Sequence, residues 1–85
     1  MRKFTYKIKD ELGIHARPAG MLAKAAKVLD SEITVSLGDK SAAASKLMAV
    51  MGLGIKQGDE ITVTVNGGDE AQAENAMREF FEKNL

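Results

Sequence analysis

The sequence predicts an α+β fold, an open-faced β-sandwich in which a four-stranded antiparallel sheet carries three helices on one face, in the order β-α-β-β-α-β-α. Three observations predict it. Apolar residues alternate with polar ones at Phe4-Tyr6-Ile8, Ile33-Val35-Leu37 and Ile61-Val63-Val65, the period of a strand with one buried face. Apolar residues recur instead at helical spacing from Ala16 to Leu29 and from Ala73 to Phe81. The 85 residues hold one domain, 1–85, with no internal repeat or linker. One-sided strands and amphipathic helices bury their apolar faces together when the helices cover one side of an antiparallel sheet.

Along the chain, Phe4, Tyr6 and Ile8 form the buried side of the first strand, and residues 11–14 form a loop. In the helix from Ala16 to Leu29, steps of roughly 100° place Ala19, Leu22, Ala23, Ala26 and Leu29 on one side. Arg17, Gly20, Lys24 and Lys27 fall on the other. Pro18 fits the first turn, where its missing N–H is not needed. Ile33 to Leu37 makes the second strand, Gly38-Asp39 a hairpin turn, and the small residues 40–44 a short edge strand. Ser45 is positioned to cap a short helix over Lys46 to about Gly52. Ile61 to Val65 is the clearest strand, and Gly67-Gly68 is a turn. Asp69, with Gln72 three residues on, starts the last helix.

Composition excludes several classes of function. Twelve basic residues balance twelve acidic ones, so the strong basic excess of a general nucleic-acid binder is missing. With no cysteine and one histidine, thiolate and histidine-cluster metal sites are excluded, and no cofactor is implied. No apolar run reaches the length of a signal peptide core or a membrane span, which predicts a cytoplasmic protein without membrane insertion. Small size and the absence of an apolar edge predict a monomer.

The chemically informative segment is Gly13-Ile14-His15-Ala16-Arg17-Pro18-Ala19-Gly20. It places the only histidine at the start of a helix, where unpaired N–H groups and a partial positive charge favour an anion. Arg17 adds a planar fork of donors suited to phosphoryl oxygens. Neutral imidazole is a good nucleophile near pH 7. Ala16, Arg17 and Pro18 at the helix start are the candidate phosphate-binding residues, with His15 and Arg17 as the reactive pair. An isolated histidine would serve equally as a plain cap or a solvated side chain; the neighbouring Gly, Arg and Pro favour function.

The helices also carry apolar residues off the core stripe. Met21 and Val28 project near Arg17 and Lys24, and the short second helix holds Leu47, Met48, Val50 and Met51. Four large apolar residues in so few positions do not all face one core, so Leu47, Met48 and Met51 are expected to be exposed. From spacing alone, core filler and a docking patch are equal readings of these methionines.

The segment Gly13 to Ala19 closely resembles the active-site motif of the HPr family, the histidine-containing phosphocarriers of the bacterial phosphotransferase system. A second block, Lys46-Leu47-Met48-Ala49-Val50-Met51-Gly52-Leu53-Gly54-Ile55, resembles the region that begins the family's second helix. The resemblance spans the whole chain. It implies that Enzyme I takes phosphate from phosphoenolpyruvate and passes it to Nδ1 of His15, and that the A domains of sugar-specific Enzyme II permeases then receive it. It further implies a carrier with no turnover of its own, in which Arg17 interacts with the phosphoryl group. Partners would dock on the matching surface of the first two helices, here Gly20, Met21, Lys24, Lys27, Lys46, Leu47, Met48 and Met51. The basic members would steer toward acidic partner faces.

One departure concerns regulation. Many family members carry a serine after a lysine at the start of the second helix, the substrate of HPr kinase/phosphorylase in low-GC Gram-positive bacteria. Here the order is reversed, with Ser45 first and Lys46 in the usual serine position. That places kinase control in doubt and leaves Ser45 as a helix cap. If Ser45 were phosphorylated instead, the added charge would weaken docking to acidic partners. Among other readings, the glycines of 52–58 match no phosphate-loop spacing and lead from helix to strand, the wrong context. The strand order also fits ferredoxin-like RNA-binding modules, but Phe4 and Tyr6 share the parity of Ile8 and face the core. A ligand-sensing module, or a paralogue serving regulation in place of sugar uptake, stays open.

Overall fold

The structure, a computed structural model, describes all 85 residues. Its elements are β1 (Arg2–Lys7), α1 (Ala16–Lys27), β2 (Glu32–Leu37), β3 (Lys40–Ala43), α2 (Leu47–Met51), β4 (Glu60–Asn66) and α3 (Glu70–Asn84). The strands form one sheet in the order β1-β4-β2-β3, every neighbouring pair antiparallel. The predicted order and the one-sided covering are both observed.

Register explains why only one face is covered. Phe4 pairs with Val63, Val63 with Val35, and Val35 with Ala42, a continuous apolar row across all four strands. The next row on the other face runs Thr5, Thr62, Ser36, Ser41, all hydroxyl side chains. Side chains alternate between faces at every residue, so a single phase shared by four strands sorts the whole sheet. Ala19, Leu22 and Ala26 of α1, Val50 of α2, and Ala73, Met77 and Phe81 of α3 pack onto the apolar rows as one core of twenty buried residues.

The ends of elements depart slightly from the periodic pattern. The apolar stripe continues to Leu29, yet α1 stops at Lys27. The chain must turn there to enter β2, and the Ser31 hydroxyl anchors the turn by donating to the Gly67 carbonyl at 2.5 Å. The predicted Ser45 cap is not formed. Ser45 lies in a turn, and Lys46 is the N-cap of α2, with no side-chain capping bond. The reason is the tight turn before the helix: Lys46 N–H donates to the Ala43 carbonyl, and helical bonding begins with Val50 N–H donating to the Lys46 carbonyl. By contrast, Asp69 caps α3 as predicted, accepting from Gln72 N–H at 3.2 Å. No helix is long and apolar enough to cross a membrane.

Candidate functional site

The site begins with a loop held in place by the segment that leads from α2 to β4. Gly13 has φ +65°, and a Cβ there would run into the Ile55 carbonyl oxygen and lie 2.7 Å from Lys56 Cα. Only glycine meets both demands. Ile14 is buried and its N–H donates to the same Ile55 carbonyl at 3.1 Å. The next residue, His15, is therefore set at the rim of the core with its ring half-exposed.

His15 is the N-cap of α1, with an extended backbone (φ −96°, ψ −173°) and a carbonyl that accepts from Ala19 N–H at 3.0 Å. Its imidazole makes no capping bond. The N–H groups of Ala16 and Arg17 have no helical acceptor, because the residues four positions earlier lie outside the helix. Pro18, grouped with them from sequence, contributes no donor; it is buried and shapes the wall of the site. The first turn of α1 contains no acidic side chain, so its partial positive charge stands uncompensated beside the ring.

A surface hollow of about 200 Å³ opens there, lined by Asp10, His15, Arg17, Pro18, Met21, Lys83 and Asn84. Arg17 is exposed and joins none of the molecule's ion pairs. Lys83 lies 3.9 Å from Glu79 on its own helix. Asp10 places Oδ2 3.9 Å from His15 Nε2. The arrangement offers an accessible imidazole, two open amides and a free guanidinium, the parts an anionic phosphoryl group needs. No cluster of side chains could hold a metal ion.

Asp10, Lys83 and Asn84 escaped the sequence reading. Asp10 stands five residues before the histidine in a loop without periodicity, and an acid in a loop is ordinarily a solvated one. Lys83 and Asn84 arrive from the far end of the chain, because α3 packs on β1 and its end meets the loop that leaves β1.

The second group of predicted residues is exposed on α1 and α2, which pack against each other. Met21 is 40% exposed, Leu47 37%, Met48 76% and Met51 37%, while Val50 is fully buried. That division of the α2 residues matches the expectation. Lys24, Lys27 and Lys46 are exposed as well, and Gly20 is half-buried. Lys27, Ser45 and Lys46 line a groove between the end of α1 and the start of α2. Met21 joins the docking candidates to the hollow around His15.

A family model described as the phosphorylation site of the HPr component of the phosphotransferase system matches residues 2–83. The phosphocarrier protein HPr of Mycoplasma capricolum is 42% identical over 79 residues, covering 93% of this chain and 89% of that one. A solved structure of a Mycoplasma histidine-containing phosphocarrier protein superposes with a TM-score of 0.92 at 39% identity, covering 96% of this chain and 93% of the other. An HPr structure from Thermoanaerobacter tengcongensis superposes with a TM-score of 0.91 at 34% identity, covering 98% and 93%.

Proposed function

The chain belongs to the HPr family of phosphocarriers of the phosphotransferase system, and on that premise we propose that His15 accepts a phosphoryl group from phosphorylated Enzyme I and yields it to Enzyme II A domains. In this reading it acts in the cytoplasm, as a monomer, as a relay with no turnover of its own. One observation carries it: the half-exposed His15 ring sits beside the open Ala16 and Arg17 amides and an unpaired Arg17 guanidinium. Transfer forms a bond from Nδ1 to phosphorus as the donor's bond to phosphorus breaks. The amides and Arg17 then hold the phosphoryl oxygens.

The partners dock on the exposed face of α1 and α2. Gly20 supports this reading, since a Cβ there would meet nothing within 4 Å and no packing demand explains its presence in a helix. A helix surface without a side chain at Gly20, next to Met21 on the helix that packs against α2 with its exposed Met48 and Met51, suits several partners of different shape. Ser45 is half-buried and outside the helix, which supports a structural role for it over a regulatory one.

The test is incubation with Enzyme I, Mg²⁺ and phosphoenolpyruvate, followed by intact mass. One acid-labile phosphoryl addition is expected, and none in His15→Ala. A folded protein that gains no phosphate from several Enzyme I homologues would refute the carrier reading.

A further inference from the structure

We infer that Asp10 is a positioning residue for His15, accepting a hydrogen bond from Nε2–H and so leaving the lone pair on Nδ1. The inference rests on the carrier reading and adds a residue to it. Three observations support it. Asp10 Oδ2 lies 3.9 Å from Nε2, a separation that a small rotation of the half-exposed imidazole closes to a hydrogen bond. Asp10 is also the only carboxylate lining the hollow, where the other charged side chains, Arg17 and Lys83, are basic. Finally, the residue is held on all sides. Its N–H donates to the Leu85 carbonyl at 2.9 Å, its carbonyl accepts from Gly13 N–H at 3.0 Å, and its Oδ2 accepts from Leu12 N–H at 3.0 Å.

The chemistry gives that geometry a use. A neutral imidazole carries one proton, and a carboxylate beside Nε2 holds it there. The Nδ1 lone pair then forms the bond to phosphorus, and the electron pair of the breaking bond leaves with the donor group. The ring keeps its Nε2 proton and acquires a positive charge, which the Asp10 carboxylate faces. In onward transfer the electron pair of the N–P bond returns to Nδ1, and the ring leaves neutral with the same proton on Nε2. Asp10 thus serves both directions from the side of the ring opposite the phosphoryl oxygens.

The experiment compares the parent with Asp10→Ser and Asp10→Glu. Serine keeps an acceptor for Leu12 N–H, so the loop is preserved while the carboxylate is lost. Long-range ¹H–¹⁵N spectra of the unphosphorylated His15 ring report its tautomer, and amide spectra report the fold. In Asp10→Ser the Nδ1–H tautomer should rise about two- to fivefold and the phosphoryl transfer rate fall by a similar factor, the range an exposed ion pair supports. Asp10→Glu should recover part of both. A folded Asp10→Ser with the parent's tautomer ratio and transfer rate would overturn the inference. If the parent itself takes no phosphate, the carrier reading fails instead, and the tautomer measurement still judges Asp10.

Discussion

Tyr6 projects from β1 toward α3, its ring 5.6 Å from that of Phe81, and its hydroxyl is buried with no hydrogen-bond partner. Burial raises its pKa above the ordinary tyrosine value, and the nearby Glu82 raises it further. The phenol therefore stays neutral throughout the physiological range. An unpaired buried hydroxyl contributes nothing and costs desolvation. Tyr6→Phe is expected to leave stability unchanged or raise it by up to about 1 kcal/mol in urea unfolding; a clear loss would show that the hydroxyl has a partner. Gly13 makes the opposite case. Its positive φ and its approach to Ile55 and Lys56 admit no side chain, so Gly13→Ala should cost about 2 kcal/mol or more in the same measurement. It should also slow phosphoryl acceptance, because the residue sets the loop before His15. The motif Gly-Ile-His pointed to Gly13 from sequence; nothing in sequence pointed to the orphan hydroxyl, which depends on what α3 lays over β1.

Elements are joined by charge as well as by the core. Glu74 on α3 accepts from Arg78 Nε at 2.8 Å and from Arg2 Nη1 at 3.0 Å, tying α3 to the edge strand β1. Hydrogen bonds from Arg78 first and Arg2 second hold its pKa below the usual carboxylate value. A depressed carboxylate pKa means that the folded state binds the proton more weakly than the unfolded chain. Its stabilisation is therefore complete above the unfolded pKa and lost as pH falls through the folded one. Glu74→Gln should lower the melting temperature at pH 7, with the difference from the parent shrinking toward zero as pH falls below the usual carboxylate range. A difference that persists in acid would assign the effect to packing. The elements themselves were mostly legible: β2 and β4 follow from strict alternation, and the start of α3 from Asp69 and Gln72. The start of α2 was not, because the turn that binds Lys46 N–H to Ala43 decides the cap and is invisible in residue type.

At the scale of the molecule, the sheet and helices divide the surface into a polar sheet side and a helix side with exposed apolar residues. The uncovered sheet face is built from Thr5, Thr62, Thr64, Thr34 and Ser36. Four of the exposed large apolar residues, Met21, Leu47, Met48 and Met51, lie on α1 and α2, with Met48 the most open of the methionines on α2. Met48→Asp removes an apolar contact and places a negative charge on a surface whose exposed lysines are suited to acidic partners. It should weaken association with Enzyme I about tenfold or more in titration calorimetry, with the thermal melt unchanged. Unchanged affinity would move the docking surface elsewhere.

The sequence by itself determined the strand and helix periods, the sheet's one-sided burial, the single histidine at a helix start, and the arginine two residues on. These are local properties, carried by spacing and residue type within a dozen positions. The tertiary structure alone decided that Asp10 faces Nε2 and that Lys83 and Asn84 line the same hollow. Each depends on packing between segments distant in the chain, where no periodicity reports which side chains meet. A helix projection sorts one helix into faces, but what covers each face is settled only when α3 lies across β1 and α1 packs on α2.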